Sequence, residues 1–375
     1  MKKGIILANT GTPSGADEFF VKRYLRQFLN DPRVVDLPRV LRWLLVNMWI
    51  VPMRAKKSSE AYRKIWTSDG PPLLTNSLLL KEQLSARLGD DYCVEIGMRY
   101  GEPTMVSAID ALQKQDCSEL ILLPLFPQYA SASTGSVIEA FLKHVQSYQY
   151  IPAIKVLPAF YDQSGFIGAY AALIQTKIQE KQPDLVLFSY HGLPLRHIQK
   201  NKYRISTSSL REIFSFPLLR QAFSLSSLRG AQRRSNPDRD LDEQPIWIAS
   251  LSARNDGLGS NPCYKTQCLE TSRLLAEKLG LAAEQYTTGF QSRLGRLPWI
   301  QPYTDELLPS FIDKGIKHLL IACPSFTVDC LETLEEIAIR LRETWHALGG
   351  ESFDVVPCLN ASPLWIDYLA RSILS

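Results

Sequence analysis

No apolar run in this sequence is long enough to cross a bilayer. The longest, Val40–Met53, is broken by Arg42, Asn47 and Pro52 and falls short of the ~20 residues that a spanning helix needs. Charge of one sign is equally scarce. Against 42 Lys and Arg stand 38 Asp and Glu, a net +4 over 375 residues, and no basic stripe alternates with aromatics, so nucleic acid is not an expected partner. The start, MKKGIILANT, imitates an export signal, but Gly11, Thr12 and Pro13 break the apolar stretch early, and a first strand is the expectation. The seven cysteines are odd in number and several lie in apolar runs. Without an export signal, reduced thiols and a cytoplasmic location are expected. The spacings Cys263-x4-Cys268 and Cys323-x6-Cys330 are looser than zinc pairs usually are.

What the sequence does contain is strand-sized apolar runs, most of them followed by a helical pattern: Gly4–Ala8, Cys93–Met98, Glu119–Leu123 and a weaker one near Ile154–Leu157, then Asp184–Tyr190, Gln285–Phe290, His318–Cys323 and Phe353–Cys358. Strands alternating with helices imply right-handed βαβ units and parallel sheets. With 45% hydrophobic and 21% charged residues, a chain of this length suits two domains of ordinary size. The expected fold class is α/β: two similar domains, each a four-stranded parallel sheet flanked by helices, with a cleft between them. The expected boundaries are 1–152 and 153–360, with a C-terminal helix at about 361–375 packing back on the first domain.

Residues 201–260 break the pattern. They hold 11 serines and 8 arginines and no His or Cys, and a long stretch without periodicity inside a domain reads as an insertion.

The unusual residues fall beyond the strand ends, where ligands bind in open α/β sheets. His191 follows DLVLFSY directly and is held by the turn of Gly192, Leu193 and Pro194. After the run ending at Cys323 comes Asp329–Glu336, DCLETLEE. Glu332 and Glu336, at i and i+4, share one helix face. Imidazole and carboxylate together suit proton transfer and the binding of a metal ion. Bland readings stand beside these: a hydrogen-bonded turn histidine, helix-start carboxylates at Asp329 and Glu335 favoured by the macrodipole, and an Arg99–Glu102 pair. Val40–Met53 reads as a lip for a hydrophobic ligand, with a core helix as the rival reading; its tryptophans and following Arg54, Lys56 and Lys57 also allow peripheral membrane contact.

An ordered set of motifs resembles one family, the ferrochelatases. It comprises LANTGTP (7–13), FLNDPRVVD (28–36), MRYGEP (98–103), LPLFPQY (123–129), STGS (133–136), SYHGLP (189–194), NPCY (261–264), FQSR (290–293), PYTDE (302–306) and DCLETLEE (329–336). The set covers nearly the whole chain except 201–260. The resemblance implies two Rossmann-like domains clamping a porphyrin, no nucleotide, and insertion of Fe2+ into protoporphyrin IX with release of two protons, a lyase reaction ending haem biosynthesis.

In that frame His191 and Glu332 are the expected catalytic and metal-contacting pair. Thr10, Arg99, Tyr100, Gln128, Tyr129 and Glu336 are the expected porphyrin-side residues. The Glu332–Glu336 face serves either iron moving in or protons moving out. Some ferrochelatases carry a [2Fe–2S] cluster, but no Cys follows Cys358 here, so neither a cluster nor another tightly bound cofactor is expected.

Thr10 stands where coproporphyrin-using relatives tend to have tyrosine, which favours protoporphyrin. Pro71 stands where many relatives have serine, which removes a hydroxyl from the loop expected to meet a propionate. The alternatives are a coproporphyrin or sirohydrochlorin chelatase, or a non-catalytic haem- or iron-binding protein. Peripheral contact with the inner membrane is compatible with a cytoplasmic protein, and oligomeric state is not legible.

Overall fold

The computed structural model describes residues 2–199, 262–295 and 297–374; the expected insertion at 201–260 lies outside them. The described residues hold two four-stranded sheets, all parallel. The first comprises β1 (Lys3–Thr12), β2 (Tyr92–Gly101), β3 (Glu119–Pro124) and β4 (Ala153–Val156), in the order β2-β1-β3-β4. The second comprises β5 (Leu185–His191), β6 (Tyr286–Gln291), β7 (His318–Ala322) and β8 (Ser352–Val355), in the order β6-β5-β7-β8. The two orders are the same topology repeated. In each, the chain steps first to one side and then crosses to the other, so a switch point opens between β1 and β3 and again between β5 and β7. Crevices at carboxyl ends form at such points.

All eight expected runs are strands. β8 stops at Val355, short of the expected Cys358, and two strands run further than expected. β1 and β2 continue to Thr12 and Gly101, pairing Gly11 with Tyr100 and Thr12 with Gly101, so Thr10, Arg99 and Tyr100 sit on strand tips rather than in loops. The extension depends on Gly11: at φ 103°, a Cβ there would lie 1.8 Å from the Tyr100 carbonyl oxygen. β4 pairs with β3, Leu120 beside Ile154. The expected boundary at 152/153 would cut this strand from its sheet; the chain leaves the first sheet only after Val156.

The helices that position the site are α1 (Glu18–Leu29), α2 (Arg39–Leu44), α3 (Val51–Ile65), α4 (Pro72–Leu88), α5 (Met105–Gln113), α6 (Ser136–Val145), α7 (Ser164–Lys181), α8 (Leu195–Gln199), α9 (Tyr264–Leu279), α10 (Thr304–Asp313), α11 (Arg342–Ala347) and α12 (Pro363–Leu374). A π-helical turn at Leu45–Ile50 joins α2 to α3, and a longer one, Glu332–Leu341, runs into α11. One apolar cluster runs from Ile5 and Leu7 of β1 through Phe166 and Tyr170 of α7 to Phe188 of β5 and Trp365 of α12, so both sheets share a core. Helix α12 lies against α4 and α7, with Arg87 and Asp367 paired at 2.9 Å. A second cluster joins Val21, Tyr24 and Leu25 of α1 to Tyr62 and Ile65 of α3, and Leu331, Leu334 and Ile339 pack on it. That contact brings the Glu332-bearing segment against the first half of the chain.

The α2–α3 segment is not a plain core helix. Val46 and Val51 are buried, but Val40, Trp43, Met48, Trp49 and Met53 are more than half exposed. Among the described residues, no helix is long and apolar enough to cross a membrane.

Candidate active site

His191 ends β5, one residue beyond fully buried Tyr190. Its backbone is fixed on both sides: the N–H donates to Ser325 Oγ (3.0 Å) and the carbonyl accepts from Tyr264 Oη (2.8 Å). The ring places Nδ1 2.6 Å from the Gly192 carbonyl oxygen. A carbonyl can only accept, so the proton of a neutral ring sits on Nδ1 and Nε2 keeps a bare lone pair. Phe326 covers the ring at 6.2 Å between centroids.

The neighbouring strand links this imidazole to the acidic segment. Gln291, the last residue of β6, pairs with His191 in the ladder and is buried. Its Oε1 accepts from Ser189 Oγ at 2.6 Å, and its Nε2 donates to the Glu332 carbonyl at 3.2 Å. The next residue, Ser292, donates its backbone N–H (2.8 Å) and its hydroxyl (2.6 Å) to the two oxygens of Glu336. Burial raises the Glu336 carboxyl above the usual carboxylate range; the two Ser292 donors pull it back only in part. The charge of Glu332 is felt by Glu336 and by the phenols of Tyr24 and Tyr62, which burial first of all holds well above the usual range. The π-helical winding, a form that recurs at functional sites, leaves both glutamates on one face.

Asp329 is not a surface helix-start carboxylate. It is buried and accepts from Thr333 Oγ1 (3.0 Å), the Cys358 N–H (3.3 Å) and Asn360 Nδ2 (2.7 Å), tying the start of the π-helical segment to the strand exit after β8. Glu335 is buried and paired with Lys64 of α3 and Arg340, at 3.4 and 3.5 Å.

In the first half, Thr10 is half-buried on the tip of β1, and its N–H is held by Asn9 Oδ1 at 2.7 Å. Arg99 does not pair with Glu102. Its Nη2 donates to Asp31 Oδ2 at 2.6 Å and its Nε to Ser136 Oγ at 2.6 Å. Tyr100 is buried, with its hydroxyl 2.8 Å from the same Asp31 oxygen; burial and then Asp31 push its phenol up. Burial opposes ionisation of Asp31, yet hydrogen bonds from Ser136, the Arg33 N–H and Tyr100, with the Arg99 charge, hold it below the usual carboxylate range. Arg99 and Tyr100 thus brace the rim from inside.

Gln128 is buried and bridges the halves: Nε2 lies 3.0 Å from Thr271 Oγ1 and 3.4 Å from the Pro324 carbonyl. The Tyr129 N–H is held by Gln267 at 2.8 Å, leaving an exposed ring. Thr327, beyond β7, donates to the Leu125 carbonyl, beyond β3, at 3.0 Å. The loops at the two switch points are therefore bonded to each other. Asp31, Ser136, Gln291, Ser292 and Ser325 carry no role legible in the sequence alone. The first four lie in motif stretches, which was their only signal: Asp31 just after α1, Ser136 at the start of α6, and Gln291 and Ser292 at the exit of β6.

Among the described residues, no three His, Cys, Asp or Glu side chains form a ready metal cage. A family model described as Ferrochelatase matches residues 2–375. The chain is 42% identical over 370 residues to a ferrochelatase of Coxiella burnetii (strain Dugway 5J108-111), covering 99% of this chain and 92% of that protein. To a ferrochelatase of Legionella pneumophila subsp. pneumophila (strain Philadelphia 1) it is 43% identical over 366 residues, covering 98% and 97%. The solved structure of SirB from Bacillus subtilis with Fe3+ matches with a TM-score of 0.51 at 12% identity, covering 100% of this chain and 95% of that one; that likeness concerns the fold alone.

Proposed function

The chain belongs to the ferrochelatase family, and from that premise we propose that it is a lyase that joins Fe2+ to protoporphyrin IX, with His191 taking up pyrrole protons and Glu332 and Glu336 serving the opposite approach. The observation that carries this reading is the Nδ1 contact to the Gly192 carbonyl. It leaves Nε2 as an acceptor at the mouth of β5, beside the strand end that holds Glu332 and Glu336.

The free-base macrocycle must lose two N–H protons, and the two charges of Fe2+ replace them. One imidazole accepts one proton at a time and returns it to solvent before the next. The carboxylates offer hard oxygen donors to the incoming ion or a path for the departing protons. Arg99 and Tyr100 act as braces of the rim, and the exposed ring of Tyr129 remains the candidate for direct porphyrin contact.

The test is anaerobic absorbance spectroscopy with Fe2+ and each of protoporphyrin IX, coproporphyrin III and sirohydrochlorin. Protoporphyrin should be metallated over many turnovers and at the highest kcat/KM. Preference for either other tetrapyrrole overturns the substrate assignment, and a single turnover overturns catalysis.

The exposed apolar face of α2–α3 favours peripheral contact with a bilayer as well. Trp43, Met48, Trp49 and Met53 are exposed and exposed Arg39, Arg54, Lys56 and Lys57 flank them, the chemistry of an interfacial helix on anionic lipid. Co-sedimentation with phosphatidylglycerol vesicles should be lost in Trp43→Ser/Trp49→Ser; equal binding by that variant refutes the contact.

A further inference from the structure

The residue after β6 holds an unusual backbone. Ser292 has φ 67°, a left-handed conformation that non-glycine residues seldom adopt and that tends to persist where the surrounding structure imposes it. Here the conformation has a consequence. It turns the Ser292 N–H and hydroxyl toward the same carboxylate, so that Glu336 Oε1 receives one at 2.8 Å and Oε2 the other at 2.6 Å. Both oxygens of Glu336 are therefore held from a single residue, and that residue is anchored through Gln291, which fixes the Glu332 carbonyl. The relative placement of the two glutamates depends on two consecutive residues of one strand exit.

We propose that Ser292 is a positioning residue for metal insertion: its two donors fix the Glu336 carboxylate in line with Glu332. The proposal rests on the reading that these two glutamates serve the iron or proton path. A carboxylate swinging free of Ser292 would still sit half-buried on the π-helical segment but would have no fixed orientation toward its neighbour. Loss of a hydrogen bond to a charged group is worth about tenfold or more in rate when the geometry matters only during reaction. The binding of porphyrin by the remainder of the site should be little affected.

The experiment is steady-state kinetics on the full-length enzyme, varying Fe2+ and porphyrin separately, for Ser292→Ala, Ser292→Gly, Glu336→Gln and the double variant Ser292→Ala/Glu336→Gln. Glycine accepts the left-handed backbone without strain and keeps the N–H, so it isolates the hydroxyl should the alanine protein fold poorly. Expected are a roughly tenfold or larger fall in kcat/KM for Fe2+ in both single serine variants and a porphyrin KM within about twofold of wild type. The serine change should have almost no further effect once Glu336 is glutamine. Wild-type kinetics in both serine variants with an impaired Glu336→Gln overturn the proposal and leave the carboxylate path standing. A serine effect that persists in full in the Glu336→Gln background also overturns it, because Ser292 then acts through another group. Wild-type kinetics in Glu336→Gln overturn the carboxylate path itself, and the proposal with it.

Discussion

Replacing Asp31 by Asn keeps the shape of the side chain and removes its charge, at a point where three donors converge. Arg99 Nη2, Tyr100 Oη and Ser136 Oγ lie 2.6, 2.8 and 2.5 Å from Oδ2, and the Arg33 N–H lies 2.7 Å from Oδ1. An asparagine must point its NH2 group at one of these two sets. Toward Oδ2's partners it meets a guanidinium, which has no acceptor to offer; toward Oδ1's partner it meets a backbone N–H. Either orientation leaves a donor facing a donor. Breaking a buried ion pair by removing one partner costs about 3–5 kcal/mol. The Arg99 side chain is 25% exposed against 2% for Asp31, so water recovers part of this and about 3 kcal/mol is expected. The measurement is urea unfolding at neutral pH, where the midpoint should fall with an unchanged slope. A pH series adds a sign. The folded-state carboxyl is held below its usual range, so its contribution is full above the unfolded value of ~3.9 and disappears as pH falls through the lower folded value. The gap between wild type and Asp31→Asn should therefore close in acid. A loss under ~1 kcal/mol, judged against the ~1 kcal/mol of an ordinary hydrogen bond, refutes the view that Arg99 and Tyr100 are braces rather than free ligands for a propionate.

His191→Ala should reduce metallation roughly 100-fold or more, the usual worth of a general base, while porphyrin binding followed by fluorescence quenching persists; near-normal turnover removes His191 as proton acceptor. Thr327→Val deletes the buried bond between the two switch-point loops and should cost about 1–3 kcal/mol in urea unfolding, with no effect expected if that contact is incidental. The thiols of Cys268, Cys323, Cys330 and Cys358 are buried and raised by burial foremost, and Cys117 is pushed up to about 12 by burial and by neighbouring Cys93. In the native protein these five should resist iodoacetamide near pH 8 and react on denaturation, as read by mass spectrometry; rapid native labelling of Cys323 would contradict the packing around Gln291.

The strands were legible because each is an apolar run bounded by turn residues, and burial on both faces of a parallel sheet demands such runs. The repeated strand order was not, because pairing is a long-range property: nothing local tells β3 to cross β1. The site divided along the same line. His191 was visible because a polar ring ends an apolar strand, and Glu332 and Glu336 because they share a helical face. Arg99 and Tyr100 were recognisable as important but not as internal, since their partner Asp31 lies 68 and 69 residues away. Asp329 misled for a related reason. Its sequence position suits a helix start, yet its acceptors are filled by Thr333, Cys358 and Asn360, the last two on a strand exit that sequence proximity does not reveal.

The two sheets share a topology but supply different chemistry. The exits of the second provide the groups able to take a proton or an ion: His191 after β5, and Glu332 and Glu336 after β7. The first half provides rigidity, through Asp31 after α1, Arg99 and Tyr100 at the end of β2 and Ser136 at the start of α6. The Thr327–Leu125 and Gln128–Pro324 bonds then join one set to the other at the switch points. The proposed proton acceptor gains from such a division. The Gly192 carbonyl holds its Nδ1 and leaves Nε2 as an acceptor, while the Asp31 network braces the first half through bonds of its own.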